Sequence, residues 1–90
     1  MDLDALLHHY FGTDDPETID PEAFAAGKER LSIDFGVERE PGRRFALWTL
    51  MEAFGFAPLP AEAFDKDPAL RRAAEDYLDA AWKLERDAED

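Results

Sequence analysis

Apolar residues along the chain recur three and four positions apart, and nowhere do they alternate for long enough to make a strand. Leu3, Leu6, Leu7 and Tyr10 share one helical stripe between Asp2, a candidate N-cap, and Gly12, a candidate stop. This spacing predicts a first helix over about residues 2–11. A loop at 13–18 follows, carrying the turn formers Asp14, Asp15 and Pro16. The second helix has the clearest start. Asp20 stands at the N-cap, Pro21 at the first helical position, and Ile19 and Phe24 at the two positions of a hydrophobic staple. At 100° per residue Phe24, Leu31 and Phe35 fall within about 40° of one another, with Gly27 beside them. A glycine there costs helix stability but lets another backbone come close. Gly36 is the expected end of this helix, and 37–40 a connector.

The third helix opens at Pro41 and runs to about Phe54, where Gly55 stops it. Ala46, Leu47, Trp48, Leu50, Met51, Ala53 and Phe54 cover almost its whole circumference. Thr49 and Glu52 leave a narrow polar strip, with Phe45 between them. A helix apolar nearly all round is buried on most sides. Phe56 and Leu59 are expected to tuck under the loop 55–60, and 61–64 to make one short turn. The last helix starts from Asp67 and Pro68 and reaches the mid-80s. Leu70, Ala73, Ala74, Tyr77, Leu78, Ala81 and Leu84 form its stripe, about 140° wide. Asp79 precedes Lys83 by four residues, a favourable spacing for an ion pair. The acidic tail, 86–90, sets negative charge at the negative end of a helix and is expected to fray. The pattern predicts an all-α fold, a compact bundle of four main helices with short connectors. At 90 residues it reads as a single domain.

Composition removes whole classes of function. With no cysteine there is no disulfide scaffold, thiolate metal site or thiol nucleophile. The longest charge-free stretch, 53–61, contains two prolines and is far too short to cross a membrane. Met1-Asp2-Leu3-Asp4 lacks the basic start of a signal peptide, so the expected location is cytoplasmic. The chain holds 22 acids against 10 bases, a net charge of −12. Residues 1–27 carry seven acids and no base, whereas 28–44 carry four acids and five bases. Such a surface is repelled by phosphate backbones and anionic lipids, so direct nucleic-acid binding is not expected. A hydrophobic fraction of 46% nonetheless argues for a folded chain.

Candidate chemistry is thin. Asp4 and His8 lie one helical turn apart with His9 alongside, but two convincing ligands do not make a metal site, and an exposed pair is expected. The acids Asp14, Asp15, Glu17, Asp20 and Glu22 fit no calcium-loop register. Counting from Asp14, Ile19 stands where the loop needs glycine and Ala25 where it needs glutamate. There is no phosphate loop, no dinucleotide fingerprint and no nucleophile motif around Ser32. The chain is expected not to be an enzyme and to need no metal or cofactor.

Two constellations remain. Arg43 and Arg44, at the start of the third helix, are candidate anion contacts, with Glu38 and Glu40 as competing local partners. Leu78 and Trp82 are the candidate partner interface. Trp82 lies about 120° from Leu70 on the wheel, beside Leu78 and off the main stripe. An aromatic on such a shoulder is a common interface anchor. Its alternatives are packing beneath the loop 55–60 or stacking on Arg86. The expected function is a small acidic interaction module acting through an apolar helix surface, as a homodimer or against another protein. The alternative is an acidic nucleic-acid mimic that fills a basic protein's groove. Arg71, Arg72, Lys83 and Arg86 interrupt the acids that such mimicry needs.

Overall fold

The structure is a computed structural model that describes residues 3–13 and 15–88, with side chains through residue 83. The capping role of Asp2, the place of Asp14, the side chains of Leu84 and Arg86, and the last two residues of the acidic tail lie outside the described residues, while the last helix continues past the expected mid-80s to Ala88. The all-α class is what the structure shows: it is 78% helical, with no strand among the described residues. The helices are α1 (Leu3–Phe11), α2 (Pro21–Val37), α3 (Pro41–Ala53), the short α4 (Pro60–Ala63) and α5 (Pro68–Ala88). A 3-10 turn, Pro16–Thr18, sits between α1 and α2. The chain divides into two compact units, 1–57 and 58–90.

In the first unit each of α1, α2 and α3 packs against the other two. The starts and stops follow local chemistry. α1 ends where the Gly12 amide donates to the His8 carbonyl and Gly12 turns left-handed, φ 75°. Asp15 accepts from the Glu17 amide to hold the 3-10 turn, and Asp20 accepts from the Glu22 and Ala23 amides to start α2. Two of the acids that superficially suggest calcium, Asp15 and Asp20, therefore do capping work. α3 closes on Gly55, φ 80°, with Gly55 N donating to Glu52 O and Phe56 N to Met51 O, the paired bonds of a Schellman stop.

The core is the one that the stripes predict. Leu6, Leu7, Tyr10 and Phe11 of α1, Leu31 and Phe35 of α2, and Leu47, Trp48, Leu50 and Met51 of α3 are buried, with Trp48 and Leu31 wholly so. Leu3, at the edge of the α1 stripe, stays exposed. Gly27 makes the approach of α1 to α2 possible. A Cβ there would lie 2.5 Å from both the Tyr10 carbonyl and the Phe11 ring. Beside this crossing Phe11 stacks on Phe24 at 5.6 Å and leans on Phe54 at 4.9 Å, and Phe24 meets Phe54 and Phe56 edge-on.

Three sequence expectations change in physical detail. α2 runs past Gly36 to Val37 and stops without a left-handed residue. Pro41 disfavours a helical Glu40, and the chain turns extended from Glu38 onward. Thr49 is buried on α3 because its hydroxyl donates to the Ala46 carbonyl at 2.8 Å, so the polar strip costs no unsatisfied group. Leu59 is exposed rather than tucked under a loop, since it serves as the extended N-cap residue before Pro60.

In the second unit α4 packs against α5. Asp67 starts α5 by accepting from the Leu70 amide at 3.1 Å. Pro60, Ala63, Phe64 and Ala74 are buried. The rest of the α5 stripe is not: Leu70, Leu78 and Ala81 are half-buried, and Ala73 and Tyr77 are exposed. No helix among the described residues is long and apolar enough to cross a membrane.

Candidate functional site

Arg43 and Arg44 emerge together at the start of α3 and are turned to different tasks. The amides that an anion would use there are occupied by a side chain of the protein. Glu40 accepts from Gly42 N at 3.2 Å and from Arg43 N at 2.6 Å. Arg44 reaches back to the end of α2, donating from Nη1 to the carbonyls of Phe35 and Glu38 at 3.1 and 3.2 Å. Its guanidinium lies 4.3 Å above the Phe35 ring. A cation at a helix C-terminus is favourable, so Arg44 closes α2 while Glu40 opens α3. Arg43 pairs at 3.6 Å with Glu38, and the pair is partly open to solvent. Of the two local acids expected to compete, Glu38 pairs with the Arg43 guanidinium, whereas Glu40 takes the Gly42 and Arg43 amides. A shallow groove of about 610 Å3 runs alongside, lined by Leu3, Phe45, Ala46 and Thr49 with Glu40 and Arg43 at its polar end.

His8 and His9 are exposed, and no three His, Cys, Asp or Glu side chains among the described residues are placed to hold a metal ion. Tyr10 is the one strongly perturbed titratable group among the described residues. Burial, then the hydrogen bond and negative charge of Asp34, push its phenol far above the ordinary range. The phenol therefore stays protonated and donates to Asp34 Oδ2 at 2.6 Å, tying α1 to α2. This bond braces the packing of α1 on α2.

The second unit presents a different kind of surface. Arg71, Glu75, Leu78 and Trp82 follow one another along α5 at spacings of four, three and four, one straight seam on a helix. Leu78 is half-buried and Trp82 is 61% exposed. A shallow groove of about 530 Å3 lies against this seam, with Pro60 and Leu78 as its apolar lining and Arg72, Glu75, Asp76 and Asp79 around them. Arg71 pairs with Glu75, and Arg72 with Asp76, each at 3.6 Å one turn apart. Asp79 and Lys83, spaced for a third such pair, do not close on each other among the described residues. Tyr77 projects from the other shoulder of α5 and is 40% exposed. Leu78 and Trp82 are thus brought onto one open face, while Arg86, one alternative partner for Trp82, has its side chain beyond the described ones.

A second exposed apolar pair escaped sequence reasoning. Ile33 and Val37, one turn apart on α2, are 58% and 72% exposed. The signal was available, since both lie on the side of the wheel opposite Phe24, Leu31 and Phe35. Comparison with protein-family models, with curated proteins and with solved structures finds no match for this chain.

Proposed function

We propose that the chain is a small acidic protein–protein interaction module whose working surface is the Leu78–Trp82 face of α5. One observation carries this reading: a tryptophan stands 61% exposed on a helix whose apolar stripe is only partly covered within the chain. Fully covering such side chains gains roughly 1.5–3 kcal/mol each, so an exposed one beside a half-buried leucine is a natural anchor for a second surface. The homodimer expected from the sequence is the simplest form of this reading, and another protein is the other. The mimicry alternative needs an unbroken array of carboxylates. The closed pairs Arg71–Glu75 and Arg72–Asp76 support the apolar reading instead.

The test is site-specific cross-linking in the cell that makes the protein. A photoreactive phenylalanine analogue placed at Trp82 should form defined covalent adducts, and the same group at exposed Glu29 of α2 should not. Equal labelling at both positions, or none at 82, overturns the proposal.

A further inference from the structure

The occupant of this face is constrained by charge and shape together, and we infer that it is a cationic amphipathic helix of another protein rather than a second copy of this chain. The inference rests on the interaction reading above and names its partner. Shape comes first. The apolar track from Leu78 to Trp82 runs parallel to the axis of α5, and the groove beside it opens next to Pro60. A track of this kind suits a partner helix whose anchors recur at three and four residues.

Charge then selects among such helices. The groove lining sets three carboxylates, Glu75, Asp76 and Asp79, against one guanidinium, Arg72. Arg72 is engaged by Asp76 and Glu75 by Arg71, which leaves Asp79 as the lining carboxylate with no ion pair among the described residues. Lys83 stands on the same flank one turn beyond Asp79, outside the groove lining. Behind the rim lies a chain of net charge −12. A second copy would bring an equal charge against it, whereas a partner with lysines flanking its apolar stripe meets complementary groups and is steered inward. The two occupants differ in sign. Salt screens repulsion and tightens a dimer of this protein, but it weakens binding of a cationic helix.

The experiment uses the whole chain and a synthetic helical peptide of leucines at positions i, i+3, i+4 and i+7 with lysines between them. The matched control replaces every lysine with glutamate. Trp48 is wholly buried, so a change in tryptophan emission on titration reports Trp82. The lysine peptide should shift that emission to shorter wavelength, and its Kd should rise about tenfold or more from 0.05 to 0.5 M salt. Calorimetry should show binding about tenfold weaker for Leu78→Ser with Trp82→Ser, and weaker again with Asp79→Lys. Ile33→Ser with Val37→Ser, on the other exposed apolar pair, should bind as the parent does, and all variants should keep the parent's helical circular dichroism.

Equal binding of the glutamate peptide, undiminished binding by the Leu78/Trp82 variant, or no binding of the lysine peptide overturns the cationic partner. So does a mass rising from 10 kDa towards twice that value, with a Trp82 shift that strengthens in salt, because it identifies the occupant as a second copy. None of these results touches the broader interaction reading, which stands or falls on the cross-linking at position 82.

Discussion

Residues 1–57 hold three helices that each find two neighbours, and Trp48 at their centre has no exposed surface. Residues 58–90 hold the longest helix in the chain, and its partner within that unit is a single turn of four residues. α3 and α5 both carry a tryptophan beside leucines on an apolar face, and only one of the two tryptophans is covered. What separates them is therefore not the apolar pattern but what the chain supplies opposite it. An amphipathic stripe states how much surface asks to be buried. The length of the neighbouring element states how much is answered.

The contrast is sharpest at the tryptophans. Trp48→Ala should cost about 3–5 kcal/mol, a large share of the stability of a small domain, and urea denaturation should show most molecules losing helix at much lower denaturant. An unchanged midpoint would mean that the centre of the first unit lies elsewhere. Gly27→Ala comes next. The added methyl meets backbone at Tyr10 as well as the Phe11 ring, so α1 must move, and a loss of about 1–3 kcal/mol is expected against the gain that alanine normally brings to a helix. A thermally stabilised variant would show that α1 and α2 are not held that closely.

Tyr10→Phe should cost about 1–2 kcal/mol, since Asp34 is half-buried and water can partly replace the phenol. It also carries a pH signature. The phenol's value is raised on folding, so its contribution is complete below the ordinary tyrosine range. That contribution is lost as pH climbs from about 10 towards the folded value. Denaturation midpoints of parent and variant should therefore converge with rising pH in that range, and a constant gap would remove the phenol–carboxylate bond from the account. The smallest effect is expected in the second unit. Trp82→Ser should change stability by no more than about 0.5 kcal/mol, because the indole is mostly in solvent already. A loss of several kcal/mol would place Trp82 in a core and remove the contrast between the units.

Much of this fold is legible in the residues because helix boundaries are decided locally. Asp20-Pro21, Gly12, Gly55 and Asp67-Pro68 each act within a few residues of themselves, and each does in the structure what its chemistry predicts. Gly27 is legible for a related reason, since a glycine on a packed stripe has few other uses. The corner at 38–44 is harder. Glu40 is a rare cap, reaching its two amides only because its carboxylate folds back over Gly42, and nothing in the spacing distinguishes that from a surface pair with Arg44. The exposed Leu78–Trp82 face was visible as a shoulder on a wheel. Whether it stayed open depended on how far α4 extends, and Pro60 followed by three residues leaves that length undetermined from sequence.

The corner between α2 and α3 also bears on the order in which the chain folds. Arg44 bonds residues only nine and six positions earlier, and Glu40 bonds amides two and three positions later. Closing loops that short costs little entropy, so the α2–α3 hairpin can assemble before any distant contact exists. α1 is fastened otherwise, through a Tyr10–Asp34 bond that spans 24 residues. In a φ-value experiment Arg44→Ala should slow folding, whereas Tyr10→Phe should mainly speed unfolding. α1 is then the last element to dock and the first to leave. Its release would uncover the Phe11–Phe24–Phe54 cluster while α2 and α3 still stand, which defines the partly open form most exposed to aggregation and proteolysis.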